Sequence, residues 1–223
     1  MLIIRQATVD DIDAITEIYN EAILTTTATF DIEPKTSEDR VQWFKSHGER
    51  YPILVAEYDE AVVGWACLSR WRPRAAYDGT AETSFYVQQQ HRGQGIGRKL
   101  KQAIIDEAQR IGFHTLIAGV AEGSEASLHL NKSFGFEIVG TFQQVGHKFG
   151  KLLDVTYLQK FLNHDRAVVD SSWSMRRAAT HRAERTTSDV FLSQSSITLL
   201  IRRRPESARY SIVEGFVECE PRA

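Results

Sequence analysis

The chain has 223 residues, 42% hydrophobic and 25% charged, with a formal net charge of −2 at pH 7. This is the balance of a globular protein with room for one domain and an appendage; it lacks the strong basicity of a general nucleic-acid or membrane-surface binder. Two cysteines, Cys67 and Cys219, are too few for a disulfide framework, no Cys/His spacing suggests zinc, and no apolar run approaches the ~18 residues of a membrane span. The N-terminus, Met-Leu-Ile-Ile-Arg-Gln, lacks the layout of a signal peptide. The expectation is a cytoplasmic protein with no metal, nucleic-acid or membrane partner.

In chain order, Leu2 to Ala7 is a short β-branched run that reads as a strand. Thr8, followed three residues on by Asp11, starts a helix to about Leu24, with Ile12, Ile15, Ile18, Tyr19 and Ala22 on its buried side. The loop Thr25-Thr-Thr-Ala-Thr-Phe-Asp31 places a large apolar residue, Phe30, outside any helix; it reads equally as a core anchor or as a substrate-pocket wall. Thr36-Ser-Glu-Asp39 opens a second helix ending near Gly48. Pro52–Tyr58 and Ala61–Trp71 form a hairpin around Asp59-Glu60. The turn-rich segment from Arg72 to Gly79 leads to a strand carrying Glu82-Thr-Ser-Phe-Tyr-Val87.

Gly93, Gly95 and Gly97 then stand at alternate positions and run directly into a helix to Ile111, with Leu100, Ala103, Ile104, Ala108 and Ile111 at the spacing of one buried face. A strand, a glycine-rich turn and an uncapped helix start together leave backbone N–H groups pointing at one spot, where an anion such as phosphate is favoured. Side chains at 93, 95 and 97 would block close approach of such a ligand. By itself a glycine triplet also makes an ordinary turn, and it fits neither the Walker ending nor Gly-x-Gly-x-x-Gly. His114–Ala121 follows as a strand, Ser124–Phe134 as a short helix closed by Gly135, and Phe136–Val145 and Leu152–Phe161 as two last strands joined by Gly146 to Lys151. The order β-α-α-β-β-β-α-β-α-β-β calls for an α/β (α+β) fold with a mixed sheet and helices on its faces.

From about His164 the character changes. Residues 1–163 carry eight lysines and nine arginines, whereas residues 164–223 carry ten arginines and no lysine. Only Val190–Leu192, Ile197–Ile201 and Tyr210–Val217 look capable of strands there. A disordered extension, an interaction add-on and translation past the natural end of the gene all fit this tail, and its low apolar content before residue 190 favours disorder in that part.

Gln90-His-Arg-Gly93-Gln-Gly95, with a strand before it and a helix after, resembles the acyl-CoA pyrophosphate loop Gln/Arg-x-x-Gly-x-Gly of the GNAT N-acetyltransferases. The resemblance covers residues 1–162, and implies the GNAT fold, a mixed, mostly antiparallel sheet of about seven strands flanked by about four helices, with residues 163–223 as an extension. A closer likeness, to the phosphinothricin and methionine sulfoximine/sulfone acetyltransferases, is carried jointly by Thr27-Ala-Thr-Phe30, Arg72-x-Arg74-x-Ala-Tyr77, Ala81-Glu-x-Ser-x-Tyr-Val87, Ser127-Leu-x-Leu130 with Gly135-Phe136, and Val145-Gly-x-Lys-Phe-Gly-x-x-x-Asp154-Val.

The resemblance implies acetyl-CoA as cosubstrate. Backbone groups of Phe85, Tyr86 and Val87 would pair with its pantetheine arm and polarise the thioester carbonyl, and Gly93, Gln94, Gly95, Ile96, Gly97 and Arg98 would hold its pyrophosphate. Glu82, the single carboxylate of its strand, reads by itself as a solvent-facing residue, and the resemblance makes it the general base that deprotonates the attacking amine. Arg72 and Arg74 have the guanidinium fork that suits a carboxylate, with Arg74 the favoured one, and the resemblance adds Thr83 as a substrate contact. Two positions depart from the family pattern: Ser124 stands where asparagine is usual, and Asn131 where histidine is common near the departing sulfur. Both still count as cofactor contacts, although asparagine cannot protonate a thiolate.

The leading expectation is acetyl transfer to a small amine bearing a carboxylate. Acetylation of another amine (a polyamine, an antibiotic or a protein) and a non-catalytic acyl-CoA sensor are the alternatives. The apolar last two strands can supply a homodimer surface, and core packing explains them equally well.

Overall fold

The computed structural model describes residues 1–162 and, further on, 210–213 and 216–219. The chain divides into two units, Met1–Val168 and Val169–Ala223. In the first, β1 (Leu2–Gln6), α1 (Ile12–Thr25), α2 (Ser37–His47), β2 (Ile53–Tyr58), β3 (Ala61–Arg70), β4 (Thr80–Val87), α3 (Ile96–Ile111), β5 (Thr115–Ala121), α4 (Glu125–Ser133), β6 (Glu137–Lys148) and β7 (Lys151–Phe161) follow the expected order. The second contains an antiparallel hairpin, β8 (Tyr210–Val213) and β9 (Phe216–Cys219), which begins in the strand-capable stretch Tyr210–Val217 and runs two residues past it. The other two stretches, and the expectation of disorder, lie outside the described residues.

The seven strands of the first unit form one sheet in the order β1-β2-β3-β4-β5-β7-β6. Every neighbouring pair is antiparallel except β4 and β5. Helices cover both faces, so the central strands are apolar on both sides. Along β2, Leu54 and Ala56 join Leu100, Ile104 and Ala108 of α3 in the larger core, while Ile53 and Val55 face Ile15 and Ile18 of α1 across the sheet. Each such aliphatic side chain contributes about 1.5–3 kcal/mol on burial.

Local chemistry sets the helix ends. The Thr8/Asp11 capping box forms on a single 3-10 turn, and α1 continues from it at Ile12. Thr36 and Asp39 form the second box, with Asp39 N–H donating to Thr36 Oγ1 at 3.2 Å. Gly112 (φ +92°) and Gly135 (φ +77°) take the left-handed conformation just after α3 and α4. One connection differs from expectation. β6 runs on to Lys148 and β7 begins at Lys151, so the anticipated six-residue loop is a two-residue turn, Phe149 (φ +51°) and Gly150 (φ +73°). Positive φ at both positions matches the twist of the flanking strands.

Asp11 ties β1 to α1. Its carboxylate is buried and accepts from Arg5 Nη1 (2.7 Å), Arg5 Nη2 (2.9 Å) and Thr8 N–H (2.7 Å), and Arg5 Nε also donates to Glu57 on β2. The Arg5 hydrogen bonds hold the Asp11 carboxyl below its usual range. A depressed carboxylate adds stability above its unfolded pKa and loses it as pH falls through the folded value. Asp11→Asn is expected to lower unfolding free energy at pH 7 by about 1–2 kcal/mol, discounted for the half-exposed arginine. It should also flatten the loss of stability below about pH 4, as read by urea titrations across pH.

Candidate active site

The single parallel pair is short. β4 and β5 are in register only at Thr80–Thr115, Ala81–Leu116 and Glu82–Ile117. Beyond that point β4 stays paired with β3 as far as Val87, and β5 with β7 as far as Ala121. The two strands therefore part, and the wedge opens into a cleft of about 1170 Å³. Thr83 to Val87 line one side and Ala118 to Glu122 the other; Gly93, Gly95, Gly97 and Arg98 stand at the start of α3, and Ser124 to Asn131 along α4.

The glycine loop has the predicted character, for a partly different reason. Gly93 (φ +76°) and Gly95 (φ +80°) are left-handed, and a Cβ at either would meet nothing within 4 Å. Backbone conformation, more than space, requires glycine there. Gly97 is helical, and a Cβ would reach Phe85 at 3.5 Å, an ordinary contact, so close approach of a ligand does not demand glycine at 97. No side chain caps α3, whose first amides are left without intrahelical acceptors. Arg98 is held over α4, donating to Ser133 Oγ at 3.1 Å, and Gln94 donates to Gln90 O at 3.3 Å.

Glu82 sits at the point where β4 and β5 separate. Burial raises its carboxyl above the usual range, and the positive charge of Arg72 opposes this. Its Oε1 lies 3.7 Å from where a Cβ of Gly119 would be, and the Tyr157 ring lies 3.4 Å from the same point. Glycine at 119 thus keeps a gap open between carboxylate and ring. Tyr157 packs against Trp71 and Phe142, each with centroids 5.6 Å away, so an aromatic wall stands beside the acid. Sequence reasoning missed this wall, because its members come from separate segments.

Several expected site residues occupy other roles. Phe30 does not line the cleft: its ring covers Gly146, where a Cβ would come within 2.1 Å, so it anchors the 25–31 loop. Lys148 Nζ donates to Thr29 O at 2.8 Å and pins the same loop, whose Thr25 to Ala28 do line the cleft. Arg72 and Arg74 are outside the cleft lining, on the exposed loop before β4. Arg72 lies over the Trp71 ring at 4.8 Å and its charge reaches Glu82; Arg74 precedes the 3-10 turn Ala75–Tyr77. Thr83 lines the cleft from the side opposite Glu82. Successive strand residues face opposite ways, and its hydroxyl lies on the α3 side, where Lys101 Nζ donates to it at 2.7 Å. A substrate beside Glu82 is on the other face.

Ser124 precedes α4 in the cleft wall, with its hydroxyl capping nothing. Asn131 is 1% exposed; its Nδ2 donates to Ser127 O at 2.9 Å, while its Oδ1 is buried with no partner among the described residues. Lys101 was not foreseen. It is fully buried, and burial pulls its pKa down to about 7. The buried 96-100-101-104-105-108 stripe of α3 includes it, so the helical period carried a signal that the residue type masked.

With this geometry in place, the comparisons are informative. Residues 4–157 match the Acetyltransferase (GNAT) domain. The chain is 42% identical over 167 residues to the L-methionine sulfoximine/L-methionine sulfone acetyltransferase of Pseudomonas paraeruginosa, covering 74% of this chain and 96% of that protein. It is 41% identical over 157 residues to an L-amino acid N-acyltransferase of Escherichia coli, covering 70% and 91%. Among solved structures, a GNAT phosphinothricin acetyltransferase from Sinorhizobium meliloti in complex with acetyl-CoA superposes with a TM-score of 0.74 at 32% identity, covering 76% of this chain and 93% of that one. The chain belongs to the GNAT acetyltransferase family. It is an acetyl-CoA-dependent N-acetyltransferase, and the cleft between β4 and β5 fits that cosubstrate: a glycine loop with free amides for phosphates, and exposed strand edges for an amide-bearing arm. Among the described residues no helix is long and apolar enough to cross a membrane, and no group of side chains is placed to hold a metal ion.

Because Gly95 is left-handed, Gly95→Ala should strain the loop and misdirect its amides. The expected result, by titration calorimetry with CoA, is about tenfold weaker binding, or about 1.4 kcal/mol.

Proposed function

We propose that the protein acetylates the amino group of a small amino-acid-like substrate of the methionine sulfoximine, methionine sulfone or phosphinothricin type, by direct transfer with Glu82 as general base. The observation that carries this reading is Glu82 itself: a carboxylate with a raised pKa, at the last β4 position paired with β5, with its Oε1 beside Gly119 of the cleft wall. Burial makes it a better proton acceptor near neutral pH. The amine surrenders its proton to Glu82 as it attacks the thioester carbon, and CoA leaves as thiolate. Phe85 to Val87 would hold the cosubstrate's arm, Gly93 to Arg98 its pyrophosphate, and Ser124 and Asn131 flank it from α4. Arg72, whose charge reaches Glu82, joins Arg74 as a candidate for the substrate carboxylate.

The substrate class draws support from the relatives, whose names specify L-amino acids, methionine sulfoximine and sulfone, and phosphinothricin. Acetyl-CoA from the cytoplasmic pool would supply the acyl group. The exposed apolar residues Val139, Phe142, Val145 and Leu152 on β6 and β7 are proposed to meet a second copy in a homodimer. Light scattering is expected to give twice the chain mass, and a monomer at micromolar concentration would contradict the proposed interface.

The test of the chemistry is thiol release from acetyl-CoA with methionine sulfone, methionine sulfoximine and phosphinothricin. Glu82→Gln is expected to lower kcat by about 10²–10⁴-fold with CoA binding retained. Since the ionised form is active and its pKa is raised, kcat/KM of the wild type should fall as pH drops through a value above the ordinary carboxylate range. Arg72→Met is expected to raise the amino acid KM with little change in kcat. Unchanged kcat in Glu82→Gln would remove the base from the reading.

A further inference from the structure

One polar pair has no part in the chemistry so far. Lys101 Nζ, on α3, donates to Thr83 Oγ1 at 2.7 Å and lies 4.2 Å from the centre of the Phe136 ring and 5.9 Å from that of Phe85. Among the described residues no carboxylate pairs with it. The side chains on this face of β1, β2 and β3 are apolar, among them Leu2, Ile4, Leu54, Ala56, Ala66 and Leu68. Glu82, the carboxylate next to Thr83 in sequence, points to the opposite face of β4. A buried ammonium without a counter-charge is a net loss of stability.

Its position gives that loss a use. Thr83 is the first residue of β4 beyond the pairing with β5, and it lines the cleft at its apex. A protonated lysine is donor only, so the Thr83 oxygen accepts from it and the hydroxyl proton must go elsewhere. Among the described residues the acceptor at hand is Ile117 O on β5, 3.5 Å away, well beyond the 2.5–3.0 Å usual for an O–H donor. The pair is therefore a polarised hydroxyl with a poorly used proton, set where the strands separate.

We propose that Thr83 donates this proton in a hydrogen bond to the thioester carbonyl oxygen of acetyl-CoA, with Lys101 as the positioning residue that orients and polarises the hydroxyl. As the amine lone pair attacks the carbonyl carbon, the C–O π electrons move onto oxygen, and the Thr83 hydrogen bond strengthens there. Collapse returns that pair and breaks the C–S bond, while the amine proton goes to Glu82. Thr83 and Glu82 thus act from opposite faces of one strand, on the oxyanion and on the amine. The inference rests on the direct-transfer reading above.

Two measurements test it. The first is the carbonyl stretch of ¹³C-labelled acetyl-CoA bound to the protein without acceptor: it should lie at lower frequency in the wild type than in Thr83→Val or Lys101→Met, with Thr83→Ser close to wild type. The second is kcat against pH. The charged lysine is the helpful form and burial lowers its pKa to about 7, so wild-type kcat should decline as pH rises through that value. Lys101→Met should lack that decline, and Thr83→Val should lose about 10²–10³-fold in kcat. Lys101→Met should fold well: a lysine with a lowered folded-state pKa costs most stability below that value, so the variant's gain in Tm should be largest below pH 7 and fade toward pH 10.5.

Equal carbonyl frequencies in wild type, Thr83→Val and Lys101→Met would overturn the inference, as would persistence of the alkaline decline in Lys101→Met. Either result leaves the Glu82 reading standing if Glu82→Gln remains inactive. A shifted carbonyl with full activity in Glu82→Gln would instead remove the base and keep the Thr83 contact.

Discussion

The separation of β4 from β5 is the constraint on which the site depends. A parallel pair held for three residues, inside an otherwise antiparallel sheet, leaves the rest of both strands with hydrogen-bonding edges that face each other and do not meet. Buried backbone groups require partners, so such a wedge suits an extended ligand rich in amides. The strands are kept apart by their outer neighbours, since β3 matches β4 from Gly64–Val87 to Arg70–Ala81, and β7 matches β5 over its whole length. The glycine loop and the start of α3 follow directly from the far end of β4. Glu82 marks the near end. One strand thus sets the distance between the loop amides and the Glu82 carboxylate.

The molecule accepts several costs around this wedge. Gly93 and Gly95 adopt a conformation that other residues resist, Lys101 is buried without a carboxylate, and Asn131 Oδ1 has no partner among the described residues. On the other face, Arg40 is buried with Nε and Nη2 unpartnered among the described residues, its guanidinium 4.3 Å from the Tyr19 ring and 4.0 Å from that of Trp43. Those ring contacts offset part of its desolvation. They belong to the aromatic layer of Tyr19, Trp43, Trp65 and Tyr86, which backs β4 from the α1 side. Such departures gather where a strand has to be held rigid beside a cleft.

Most elements were legible because their signals are local. Capping boxes at Thr8 and Thr36, glycine after α3 and α4, and the stripes of α1 and α3 are written into short windows. The β6–β7 turn was not, since nothing in the residue type announces Phe149 at positive φ. The site divides in the same way. The loop and Glu82 lie in one contiguous stretch, so both stand out as candidates from the sequence alone. Phe30 was ambiguous until Gly146, 116 positions further on, was found under its ring. The wall of Trp71, Phe142 and Tyr157 exists only after folding. Strand alternation sets Thr83 opposite Glu82, and Lys101 was overlooked because lysine on a helix normally reads as surface.

The account turns on what occupies the wedge and which atom Glu82 touches. A crystal structure with CoA and methionine sulfone bound together measures both. The expected result is a pantetheine arm between β4 and β5, pyrophosphate on the amides of residues 93–98, and the substrate nitrogen within about 3.2 Å of Glu82, directly or through one water. CoA bound elsewhere, or an amine held away from Glu82 with no water between them, would contradict it.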